Sequence, residues 1–273
     1  MKHFFSALAL FLNLAPNTQA ALPDIGEQPW MGCFAIAKSS KAHVKVFTEG
    51  GLLVQPISPK GEPWAYVRTP LTYGIEKTLP NGRKQILEVI PESLESDDET
   101  TVKFKETTIR GEVEGGATFE VVIEHNRGKV SIGGKVTSPG THDAESLRFH
   151  VSARILNFYA RKKRNLANDR EAFEELIKDD SLKFKRVDGK KVELDFIEPR
   201  DMRSEEINGT GVKEAVVNIT TLKKEFKFDA TGKSSFTFFN RKGSELNEGM
   251  ILNWTTDPKE DKKGDARFVF LVE

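Results

Sequence analysis

The feature that most constrains this chain is a side-chain rhythm of two. In TFEVVIEHNRGKVSIGGKV (residues 118–136), Phe119, Val121 and Ile123 share one face, and Glu120 and Glu124 the other. Asn126-Arg127-Gly128 interrupts the run, and Val130, Ile132 and Val136 then resume it, with Gly134 on their face. A period of two is the spacing of half-buried β-strands, and two such runs around a glycine-containing turn predict an antiparallel hairpin. The Gly133-Gly134 pair marks a bulge or a place where another part of the chain comes close.

The same rhythm fills most of the chain. ESLRFHVSARI points Leu147, Phe149, Val151, Ala153 and Ile155 one way, and Arg148, His150, Ser152 and Arg154 the other. Asp188-Gly189 joins Leu182 and Phe184 to Val192, Leu194 and Phe196, a strong hairpin signal. Phe226 and Phe228 are expected to pair across Thr231-Gly232 with Phe236 and Phe238. HVKVFTEGGLLVQPI predicts a hairpin turning at Glu49-Gly50-Gly51. GMILNW and the terminal ARFVFLVE add two strands, the last apolar on both faces and so expected inside a sheet. ESLESDDETT (residues 92–101) reads as an acidic, exposed connection.

One segment has helical spacing instead. Ala172, Phe173, Leu176 and Ile177 form a stripe, and Asn168 with Glu171 resembles a capping box, predicting a helix over about 169–178. Many short strands, one helix and no βαβ alternation predict a mainly β protein, an antiparallel two-sheet β-sandwich with one short helical insertion. Residues 21–273 are expected to form one such domain, divisible into two β-layers or subdomains near the helix at 156–180.

The first residues, MKHFFSALALFLNLAPNTQA, carry a basic start, an apolar run from Phe4 to Leu14, and small residues before Ala20. This is the layout of a secretory signal peptide, with cleavage expected near Ala20 and a secreted or periplasmic location. The apolar run is too short to span a bilayer, and no later stretch in the sequence is longer. Cys33 is the one cysteine, so an internal disulfide is excluded; in MGCFAIA it reads as a small buried hydrophobe. Lys plus Arg and Asp plus Glu are both 41, so no global charge points to nucleic acid.

Candidate sites are few. Trp64, Tyr66 and Tyr73 concentrate half of the chain's Trp and Tyr within ten residues. Such amphipathic rings can stack on a sugar face, and they equally fill a core corner that needs polar tips. Arg161, Lys162, Lys163 and Arg164 form a basic run that could meet an anionic surface, or simply lead into the helix in solvent. His142 with Asp143 and Glu145 is a weak metal candidate, since no histidine pair has ligand spacing, and no metal or other cofactor is expected. Asp195, Glu198 and Asp201, or Glu120 and Glu124, are carboxylates without the specificity to mark a glycosidase pair. Gly232-Lys233-Ser234 is no phosphate loop, because Lys227 stands where the first glycine is needed.

The sequence therefore predicts an exported, non-catalytic binding or envelope-interaction protein, with polysaccharide or an envelope protein as partner. The alternatives are a secreted carbohydrate-active enzyme with an unidentified carboxylate pair, and a structural module of an envelope assembly.

Overall fold

A computed structural model describes residues 22–64, 67–155, 169–256, 259, 261 and 264–273. The strands are β1 (Cys33–Lys38), β2 (Ala42–Phe47), β3 (Leu52–Pro56), β4 (Thr69–Thr78), β5 (Lys84–Leu87), β6 (Glu106–Val113), β7 (Ala117–Asn126) and β8 (Lys129–Ser138). They continue as β9 (Leu147–Ile155), β10 (Ser181–Arg186), β11 (Lys191–Asp195), β12 (Val212–Ile219), β13 (Lys224–Ala230), β14 (Ser234–Phe239), β15 (Met250–Thr256) and β16 (Phe268–Val272). Among the described residues two α-helices accompany them, α1 (Arg170–Ile177) and α2 (Glu205–Asn208).

All the paired strands are antiparallel and belong to one sheet, in the order β1-β2-β3-β4-β9-β15-β14-β12-β13-β16-β8-β7-β6. Strand β5 pairs with β4, and the β10–β11 hairpin branches from β12. The sequence reading expected two separate sheets. Instead, a single residue pair, Val212 with Phe236, links β14 to β12 and keeps the sheet continuous. The sheet curls so that its two arms face each other. Phe119 on β7 meets Tyr73 on β4 (ring centroids 6.0 Å apart) and Phe149 on β9 (6.3 Å). Alternation reports that each strand buries one face; it does not report whether neighbouring strands share a sheet.

The two ends of the sheet meet along a seam. Residues 101–105 bond to β1 through Ile36 and to the end of β7 through His125, and then lead into β6. The segment leaving β5 does the same on the other edge, where Val89 bridges Val113 and Glu95 bridges Arg110. The edges of β6 and β1 are thus covered rather than left open.

The predicted hairpins at 126–128, 188–189 and 49–51 are present. Gly128 and Arg127 take φ of 89° and 49°, the left-handed conformations that this turn requires. Strand β16 lies inside the sheet between β13 and β8. The hairpin expected at Thr231-Gly232 is absent. Strand β13 pairs with β12 and β16, whereas β14 pairs with β15. The chain turns a corner there, and Lys213 holds it: its Nζ donates to the carbonyls of Ala230 (2.8 Å), Gly232 (2.6 Å) and Ser234 (2.7 Å). A local turn signal cannot distinguish a hairpin from a corner held by a distant lysine.

Helix α1 buries Phe173 and Ile177, as its stripe predicts. Its N-cap is Asp169, whose Oδ1 accepts from the Ala172 N–H at 2.9 Å, in place of the expected Asn168, which lies outside the described residues. Cys33 is buried and free.

Candidate functional site

The arm formed by β4, β9, β15 and β14 turns its apolar residues inward and a polar face outward. Register builds that face. Glu76 lies opposite Arg148, Gly74 opposite His150, and His150 opposite Thr255 on its other side. Glu76 is 4% exposed, unusual for a carboxylate, which water normally keeps at the surface. Its compensating charge is Lys84 on β5, whose Nζ stands 2.8 Å from Oε1. Arg148 is anchored by donating to the carbonyls of Glu145 (2.7 Å) and Leu147 (2.8 Å).

Above this face is a pocket of about 490 Å³ lined by Glu76, Lys84, Arg148, Lys213, Ser235 and Thr255, among others. Among the described residues, Glu76 is its one acidic lining residue. Cations, a carboxylate and hydroxyls together supply donors and acceptors suited to a polyhydroxylated ligand.

His150 is 2% exposed, and its Nε2 faces Asn253 Oδ1 at 3.4 Å. Burial holds its pKa below the ordinary histidine value, outweighing the upward pull of Glu76. The folded protein therefore protonates His150 only at a lower pH than the unfolded chain, which takes up a proton below about pH 6.5. Stability from this site is present above that pH and is lost as the pH falls. The expected contribution is a slope of up to about 1.4 kcal/mol per pH unit. Burial also lowers His43 and His125, so urea titrations from pH 8 to pH 5 should be compared between the native protein and His150→Gln. The variant should show a shallower decline. Parallel profiles would mean that His150 is not held neutral.

The sequence-selected residues fall elsewhere. Tyr73 is 4% exposed and lies edge-on to Phe119. Burial raises its phenol pKa, and its hydroxyl lies by the Gly51 backbone without good hydrogen-bond geometry. It presents no open ring face. Trp64 is half-buried against the core, and its indole N–H has no acceptor among the described residues. Tyr66 and the run Arg161, Lys162, Lys163 and Arg164 lie outside the described residues.

His142 contacts Lys77 Nζ at 3.0 Å and the Glu114 carbonyl at 2.9 Å, pinning a loop. No group of three His, Cys, Asp or Glu side chains converges among the described residues. Asp195 Oδ1 accepts from the N–H groups of Ile197 and Glu198 within its own turn, while Glu198 pairs with Arg200 and Asp201 with Arg203. Glu120 pairs with Lys135 and Arg110. The polar face of β9 was readable from its alternation. Glu76 was not, because its burial, with Lys84 beside it, arises from the register of β4 with β9 and β5.

No protein-family model matches this chain, and no curated protein matches its sequence. Solved structures do match its shape. The α-N-acetylgalactosaminidase NagBb from Bifidobacterium bifidum, in complex with Gal-NHAc-DNJ, superposes with a TM-score of 0.53 at 10% identity, over 87% of this chain and 35% of that one. A quadruple mutant of the same enzyme gives 0.52 at 9% identity, with the same coverage. A galactose mutarotase related enzyme from Lactobacillus acidophilus aligns over 87% of this chain and 96% of its own length at 10% identity, but its TM-score of 0.42 is too low to carry weight. The likeness is one of fold. This chain is a mainly β protein with a curled antiparallel sheet, and it spans about a third of the length of the Bifidobacterium enzyme.

Proposed function

We propose that this chain is an exported, non-catalytic saccharide-binding protein of β-sandwich type, with the arms β4–β9–β15–β14 and β16–β8–β7–β6 acting as the two layers. The observation that carries the reading is the pocket over Glu76. A nearly buried carboxylate, held by Lys84 on the outer face of a sheet, is uncommon, because taking a charge out of water is costly. Around it, Arg148, Ser235 and Thr255 offer the hydrogen-bonding partners that sugar hydroxyls seek. The fold shared with part of an α-N-acetylgalactosaminidase is in keeping with such a ligand. Binding is favoured over hydrolysis because the pocket lining carries one carboxylate among the described residues, already paired, whereas glycoside cleavage generally needs two. Export rests on the layout of residues 1–20.

Calorimetry with a panel of neutral and N-acetylated oligosaccharides tests the proposal. At least one glycan should bind, and the Arg148→Met and Thr255→Val variants, folded by thermal melting, should weaken it by roughly tenfold each, about the worth of one good hydrogen bond. If no glycan binds, or if binding ignores both substitutions, the proposal is wrong.

A further inference from the structure

The seam where the two ends of the sheet meet forms a second, separate groove, and its charge is one-sided. The end of β1 contributes Lys38, the turn after it Lys41, the strap before β6 Lys103 and Lys105, and the β7–β8 turn Arg127. These five basic residues, all exposed, line a groove of about 680 Å³ with no acidic side chain in its lining among the described residues. The chain as a whole is balanced at 41 basic and 41 acidic residues, so this concentration goes against its composition. None of the five makes a salt bridge among the described residues. Lys38 lies over the ring of Trp30 at 4.4 Å, which orients it without neutralising it.

The turns that carry these charges are fixed against each other. A side chain on Gly128 would strike Lys41 Cβ at 2.6 Å, so the two turns abut only because that position is glycine. Ser39 Oγ accepts from the N–H groups of Lys41 (3.3 Å) and Ala42 (3.1 Å), shaping the β1–β2 turn. The strap bonds to both turn-bearing elements, through the Phe104 N–H to the Ile36 carbonyl (3.1 Å) and the His125 N–H to the Lys105 carbonyl (2.7 Å). The fold thus holds like charges together at an energetic cost, and the charge is felt nearby: burial, and then Lys41, lower the pKa of Lys224.

We infer that this seam groove binds a polyanionic glycan, one bearing carboxylate, sulfate or phosphate groups along its length. Four of the five cations are lysines, flexible point charges without the bidentate fork of arginine. They come from three separate chain segments and do not converge on one point, which suits repeated charges on a polymer better than one caged ion. The choice of glycan among polyanions rests on the exported, saccharide-binding reading above; the choice of a polyanion rests on the groove alone.

The test uses the full chain and four probes: polygalacturonate, heparin, neutral dextran and a single-stranded DNA oligomer, each titrated at low and at physiological salt. Polygalacturonate or heparin should bind, dextran should not compete, and affinity should drop roughly tenfold or more as salt rises from about 50 to 200 mM, as several released counterions require. The Lys41→Glu/Lys105→Glu double variant should lose about tenfold or more in affinity, while Lys183→Glu/Lys191→Glu, the same charge change on the β10–β11 hairpin, should lose less than about twofold. The inference fails if neither anionic glycan binds at low salt, or if both double variants weaken binding equally. DNA binding as tight as that of the glycans, per charge, would overturn the glycan assignment. The pocket over Glu76 is scored separately, by whether Thr255→Val weakens neutral glycan binding in the same preparations, so failure of one site does not pass for failure of the other.

Discussion

Gly134→Val is expected to destabilise the protein by about 3 kcal/mol or more, or to prevent folding, because the ring of Phe149 on β9 packs directly onto the β8 backbone here. A Cβ on Gly134 would sit 2.4 to 2.6 Å from three atoms of the Phe149 ring. The ring has nowhere to go. It is 1% exposed and is hemmed by Phe119 and Trp254, each with its centroid 6.3 Å away. Overpacking of this kind is relieved by removing the obstructing group. Gly134→Val combined with Phe149→Ala should therefore cost clearly less than the sum of the two single changes, a coupling that guanidinium unfolding of the four proteins would measure. Simple additivity would mean that Gly134 and Phe149 do not touch.

Trp254→Ala is expected to cost about 4 kcal/mol, lowering the melting temperature by about 10 °C. Trp254 is fully buried on β15, packs edge-on to Phe149, and donates from Nε1 to Ser234 Oγ at 2.9 Å. Truncation leaves a large cavity between the arms and takes from Ser234 Oγ the donor it accepts from, leaving it only its own donation to the Thr231 carbonyl at 2.6 Å. Trp254→Phe should recover more than half of the loss, since it restores most of the ring volume and only the hydrogen bond remains missing. Equal melting temperatures for the Ala and Phe variants would show that packing at this position contributes little.

These two positions also mark how far a single sequence carries. Alternation located Phe119, Val121, Ile123, Val130 and Ile132, all fully buried, and flagged Gly134 as a place of close approach. It could not say that the approaching group is the ring of Phe149, because that contact depends on how the sheet curls. Local turn chemistry found the corner at Thr231-Gly232 but misread it as a hairpin. The partners of β13 are β12 and β16, and β16 joins from the far end of the chain. The candidate site was the least visible part. A count of Trp and Tyr drew attention to Tyr73, whose ring fills the core. Glu76 stands three residues further along the same strand, and nothing in its neighbourhood signals burial until Arg148 and Lys84 are placed beside it. The five cations of the seam are spread over about ninety positions and form a group only when the two ends of the sheet meet.

The decisive observation is where a saccharide touches the protein, and backbone amide NMR reports it residue by residue. On titration with the tightest neutral oligosaccharide of the panel, the shifts should cluster at Glu76 to Thr78, Arg148, Ser235 and Thr255, and leave the seam turns at 39–41 and 126–128 unmoved. Shifts confined to other surfaces, with Glu76 and Thr255 silent at saturation, would contradict the assignment of this pocket as the ligand site.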